Sequence, residues 1–175
     1  MGVELRCESA VGRRYSRALK RDAAALLRAA GLASCELSLS LVTDDSIRAL
    51  NRDHRNQDKP TDVLSFSQIE ERGDSPAGSR ANSTSPLAPL PAGEGNRVKN
   101  PLPLGDVVIS VDTALAQARR YAVAPRERLR TLLIHGFLHL LGYDHERSRA
   151  DARAMFARER ELAALLDGRH TAGRR

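Results

Sequence analysis

Three of the five histidines of this chain fall within eleven residues, in the run His135-Gly-Phe-Leu-His139-Leu-Leu-Gly142-Tyr-Asp-His145. The segment around the first two is apolar and reads as a helix. Residues four apart on a helix face the same way, about 6 Å apart along the axis, within reach of one metal ion. Gly142 can take a positive φ, end the helix and turn the chain back, so that His145 approaches the same ion. Three neutral imidazoles with one coordination position left open make a catalytic zinc site, whereas a structural site closes all four. The open position would hold a water whose pKa the metal lowers. The competing reading is three unrelated histidines, two in the core and one on a turn. Burying two imidazoles without partners costs free energy, and a metal supplies the partner.

The same spacing is the zinc pattern of metzincin peptidases, which carry a Glu immediately after the first His as general base. Here that position is Gly136. Asp144 is near in sequence, and the expectation is that it orients a ligand imidazole from behind. A second region with chemical potential is Asn51-Arg-Asp-His-Arg55-Asn-Gln-Asp-Lys59-Pro-Thr61-Asp62-Val-Leu-Ser-Phe66. Read by itself, Arg55 is an ordinary surface arginine, although its planar, permanently charged fork would suit a phosphate, and Lys59 could add a point charge. His54 is expected to be exposed and inert, Asp62 and Asp106 to cap strands or turns, and Glu159 to be a solvated helix residue. His170 is expected to lie in a frayed tail.

These side chains must be positioned by a small set of elements. Val3, Leu5 and Cys7 alternate with polar neighbours as in a strand, and Cys35, Leu37, Leu39 and Leu41 form the clearest such pattern. A basic helix is expected from Ser9 to Ala30, with Val11, Tyr15, Leu19 and Leu26 inward and Gly31 as its stop. Asp44, Asp45 and Ser46 are N-cap candidates for a helix carrying Ile47 and Leu50. Thr61–Phe66 and Asp106–Val111 are the third and fourth strands, the latter nearly continuously apolar as a buried strand is. Asp112 is expected to cap a helix to Ala122. Pro125 opens another, apolar all round from Leu132 to Leu141 and so placed in the middle of the domain. The last helix runs from Arg149 to Leu166 with Met155, Leu162, Leu165 and Leu166 on one stripe and Gly168 at its end. The fold expected is α/β (α+β): one domain, a mixed four-stranded sheet packed with helices around a central apolar helix that bears the metal ligands. Residues 68–103 hold six of the eight prolines and no aromatics, and are expected to be a disordered insertion within that domain.

Composition limits the function. A length of 175 residues suits one domain, and an apolar share of 41% is enough for a core. No apolar run approaches the roughly 20 residues of a membrane span, and the N-terminus lacks the apolar stretch of a secretory signal. Cys7 and Cys35 make neither a disulfide framework nor a metal knuckle and read as small buried hydrophobes, so a cytoplasmic setting is expected. The formal net charge is +6, and all but three of the 28 basic residues are arginine. Such a balance points to a polyanion, most simply a nucleic acid, while six aromatics with no Trp argue against a base-stacking platform.

Taken together, the Asn51 to Phe66 block, Leu104-Gly-Asp106-Val-Val-Ile109, and His135 to His145 resemble the bacterial YbeY endoribonucleases. Their order and spacing cover nearly the whole chain outside 68–103. The resemblance implies a single-strand-specific, metal-dependent endoribonuclease acting in maturation of the 3′ end of small-subunit ribosomal RNA and in ribosome quality control. It implies one zinc ion on His135, His139 and His145, a catalytic role for Arg55, and as partners ribosomal RNA and the small ribosomal subunit with its proteins. No obligate small-molecule cofactor is implied. Two other readings stay open: a ribosome assembly factor whose zinc only holds the fold, and a metzincin-like hydrolase lacking its usual Glu. The long insertion departs from the family's short connection.

Overall fold

The computed structural model describes residues 2–68 and 102–172, the last four as backbone. Four strands and five helices follow in the order β1 (Gly2–Cys7), α1 (Arg13–Ala29), β2 (Cys35–Val42), α2 (Asp44–Arg55), β3 (Val63–Ser67), β4 (Leu102–Ser110), α3 (Val111–Arg120), α4 (Pro125–Leu140) and α5 (Arg149–Ala172). The sheet order is β1-β2-β4-β3. β1, β2 and β4 run parallel, and β3 lies antiparallel on the outer edge of β4. The sheet is therefore mixed, as the sequence led us to expect.

Alternation along the strands sorts the side chains onto two faces. Val3, Leu37, Leu39, Val107 and Ile109 join a large core with Leu19, Leu26, Leu133, Phe137, Met155, Leu162 and Leu166 from the helices. The opposite face is a smaller cluster, in which Ile47 of α2 covers Val42, Leu64 and Val108. β4 is thus covered on both sides, the physical reason for its nearly unbroken apolar run. α4 lies in the middle of the large core and touches α1, α3, α5, β3 and β4.

Several boundaries differ from the pattern reading. α1 begins at Arg13, because Ser9 Oγ accepts from the Gly12 amide in a turn ahead of it, and Val11 is left exposed. The cap of α2 is Thr43, whose Oγ1 accepts from the Ser46 amide. Asp44 is instead drawn to the Ser110 and Thr113 hydroxyls at 2.5 and 2.6 Å. Ser110, not Asp112, caps α3. β4 starts at Leu102, so Leu102 and Pro103 belong to the sheet and not to an insertion. Pro103 is accommodated because the β2–β4 register shifts between Glu36 and Leu37. α5 runs through Gly168 and His170 to Ala172, so neither a helix stop at Gly168 nor a frayed tail from Arg169 is found. The disorder expected of 68–103 otherwise falls on residues 69–101, which lie outside the described residues. Cys35 is buried, which pushes its thiol pKa up, and Cys7 is half-buried with its Sγ donating to Ser9 O.

Candidate metal centre

α4 is a helix because Pro125 occupies its first turn, where the missing amide hydrogen is not needed, and good helix formers follow. Gly136 and Phe137 face inward. A Cβ on Gly136 would lie 2.8 Å from Val107 Cγ1 and 3.1 Å from Val63 Cγ2, so the helix sits directly on β3 and β4 at this turn. His135 and His139, one turn apart, stand on a flank of α4 beside that contact, half-buried.

The chain then turns back. Gly142 adopts φ 84°, and the Gly142 and Tyr143 amides donate to His139 O and Leu138 O. An L-residue at this φ is strained, so the reversal that returns His145 to the helix depends on glycine here. Asp144 secures the returning segment. Its carboxylate accepts from the Glu146 amide at 2.9 Å and from Arg147 Nε at 3.1 Å, and the first of these bonds holds its pKa below the ordinary range.

The result is a triangle of imidazoles. Ring centroids are 4.7 Å apart for His135 and His139, 5.1 Å for His135 and His145, and 5.3 Å for His139 and His145. One ligand nitrogen from each lies within 4.8 Å of the others, and the two Nε2 atoms of His135 and His139 are 3.1 Å apart. Nitrogens held tetrahedrally at the usual zinc distance sit about 3.3 Å apart, so the triangle needs little adjustment to close on an ion. His145 Nδ1 is buried without a hydrogen-bond partner among the described residues, an unmet demand that an ion would answer. Burial, then the neighbouring His135 and His145, lower the pKa of His139, while Asp144 and a hydrogen bond with the Tyr143 backbone pull it back up. The net direction favours the neutral, ligating form. These residues fit a divalent cation.

The carboxylate behind the triad is not the one the sequence suggested. Asp144 braces the turn backbone, whereas His135 Nδ1 donates to Glu159 Oε1 of α5 at 2.6 Å. A carboxylate only accepts, so Nδ1 carries the hydrogen and Nε2 presents its lone pair to the ion site. Glu159 is therefore no solvated residue. A signal for it did exist: Glu159 stands four residues after Met155 and three before Leu162, on the buried stripe of α5, where a charge requires a partner.

The other singled-out residues lie elsewhere. Arg55 is the last residue of α2, exposed, on the element that covers the opposite face of the sheet from α4. It makes no ion pair among the described residues. The loop after it is fixed from both sides, since buried Asn51 donates to Lys59 O and Arg48 forms a two-pronged pair with Asp58 at 2.8 and 2.9 Å. Asn56, in the left-handed region at φ 55°, turns the chain out of α2. His54 is exposed, its ring 4.9 Å from that of Phe66. Asp62 caps β3 by accepting from the Val63 amide and also takes Gln117 and Arg128, while Asp106 accepts from Gln68.

Fold and site together define an α/β protein with a three-histidine, metal-competent centre at the end of a buried helix. The profile of the family described as endoribonuclease YbeY matches residues 6–167. Curated relatives called endoribonuclease YbeY include one from Anaeromyxobacter sp. (strain Fw109-5), 45% identical over 93% of this chain and 71% of its own length. Another, from Geobacter sulfurreducens, is 41% identical over 87% of both chains. The solution structure of TM1509 from Thermotoga maritima has the same fold, with a TM-score of 0.61 over 98% of this chain and 93% of that one at 23% identity. The chain belongs to the endoribonuclease YbeY family.

Proposed function

We propose that this protein is a zinc-dependent endoribonuclease that cuts single-stranded RNA, acting in maturation of the 3′ end of small-subunit ribosomal RNA and in ribosome quality control. Its setting in this reading is the cytoplasm and its partners are ribosomal RNA and the small subunit. The observation that carries the proposal is the convergence of His135, His139 and His145, with Glu159 behind His135, in a chain of this family. When bound there, zinc supplies Lewis acidity toward a phosphoryl oxygen and brings the pKa of a water toward neutrality.

The chain's own groups do the rest. Glu159 holds the His135 ring in one tautomer, and the Asp144-braced turn keeps His145 in place. The family resemblance assigns Arg55 the clamp on the scissile phosphate; exposed at the end of α2 and in no ion pair among the described residues, its guanidinium is left for a charge-assisted pair that would stabilise the extra negative charge of the transition state. A peptidase reading is disfavoured by position 136. That turn of α4 is pressed on Val107 and Val63, so no side chain there reaches the ion site to act as a base.

The deciding experiment is cleavage of a labelled single-stranded RNA carrying the small-subunit 3′ end by wild type, by His139→Ala, and by wild type with a chelator. Cutting by wild type alone is the expected result. Equal cutting in all three would expose a contaminating nuclease. No cutting in any lane, on free RNA and on intact small subunits alike, would leave the assembly-factor reading.

A further inference from the structure

Away from the histidines, α1 carries Arg13, Arg14, Arg17, Lys20, Arg21 and Arg28, all exposed and none in an ion pair among the described residues. The single acidic residue of this helix, Asp22, is buried on its other side and faces Arg126 at 3.7 Å. Nothing on the helix neutralises the basic face. Beside it is a groove of about 360 Å³ lined by Gly2, Val3, Arg17, Lys20, Arg21, Ala24, Leu27, Arg28 and Ala33. Its floor is aliphatic and its walls are four cations, three of them arginines.

We propose that this groove is a second contact surface for single-stranded RNA, which grips the sugar–phosphate backbone without reading sequence. The inference rests on the nuclease reading for its choice of polyanion. Arg17 and Arg21, one turn apart, are separated by about 6 Å along the axis, close to the spacing of successive phosphates in a strand, and Arg28 follows about 10 Å further on. Guanidinium forks suit phosphate oxygens, and no aromatic side chain lines the groove to stack a base. The floor has no side-chain amide or hydroxyl with which to recognise a peptide, which favours RNA over an acidic protein segment.

The position is also apt. Val3 at the groove pairs with Leu37, and Leu37 with Gly105. A Cβ on Gly105 would lie 3.0 Å from Leu140 Cδ2, next to His139. Groove and metal centre therefore lie at the same level along the sheet.

The test is fluorescence anisotropy of a labelled, unstructured 30-nucleotide RNA titrated with full-length wild type, with Arg17→Gln/Arg21→Gln/Arg28→Gln, and with the corresponding triple Lys variant, across a series of salt concentrations. Chelator is present in every binding sample. The Gln variant should bind about tenfold or more weakly at 0.1 M salt, and its log–log salt slope should be shallower by about 2, from about 0.7 per lost cation. The Lys variant should keep the wild-type slope. Unchanged affinity and slope in the Gln variant overturn the proposal. So does a Gln variant that binds RNA normally but no longer binds a labelled poly-glutamate peptide, which would give the groove to a protein. Cleavage by wild type without chelator is read separately. RNA bound through the groove but never cut would overturn the nuclease reading and support this one.

Discussion

At the scale of single residues, the centre depends on protonation and on one carboxylate. Glu159→Gln keeps the size of the side chain but weakens the hold on the His135 Nδ1 hydrogen. Loss of such a partner typically lowers metal affinity 10–100-fold, and we expect about that loss when zinc is titrated against a competing chromophoric chelator, with the fold intact by circular dichroism. His139 gives a pH prediction. Its native pKa lies below the ordinary value of 6.5, so beneath 6.5 the unfolded chain takes up a proton there before the native chain does. More protons on the unfolded state mean that stability rises with pH in that window and that this contribution levels off above 6.5. The urea midpoint of the metal-free protein should therefore fall between pH 7.5 and 5.5, and fall less in His139→Gln. Equal slopes in the two proteins would show that His139 is not the group responsible.

At the scale of elements, the site depends on how closely α4 approaches the sheet. Ala at 136 raises helix propensity, yet its Cβ would press on two β-branched valines whose strand backbones are fixed by pairing. Overpacking of about 1–3 kcal/mol less a propensity gain of about 1 kcal/mol predicts a net loss of about 0–2 kcal/mol, centred near 1 kcal/mol, for Gly136→Ala in urea unfolding. Because His135 is the preceding residue, zinc affinity should drop as well. A variant as stable as wild type would mean that the helix can lift off the strands without penalty. The helix itself, its two histidines on one face and the Gly142 turn were all legible from local spacing. The seating of Gly136 was not, because it depends on which strands come to lie beneath the helix.

At the scale of the molecule, the antiparallel pairing of β3 with β4 brings the two ends of the 69–101 segment together. Ser67 pairs with Gly105, and the Gln68 amide donates to Leu104 O. A short turn can therefore join them. Replacing 69–101 with a five-residue hairpin loop should preserve the fold and raise stability by about 1–2 kcal/mol through the smaller loop-closure entropy, as measured by urea unfolding. Collapse of the shortened protein would show that the segment is required for folding.

What the sequence determined by itself is whatever short-range chemistry dictates: the strands and helices, the side of each that is apolar, the glycine that reverses the chain, and the triad of His135, His139 and His145. Those rules couple residues a few positions apart, through backbone geometry and side-chain period. Tertiary structure alone decided the order β1-β2-β4-β3, the placing of α2 on the far face, and the choice of Glu159 rather than Asp144 to hold His135. Asp144 is adjacent in sequence, but its carboxylate is taken by the nearest backbone amide and by Arg147. Glu159 is 24 residues away from His135 and meets it only because the apolar stripe of α5 must be buried against α4. That burial is a demand of the whole core, which no local pattern encodes.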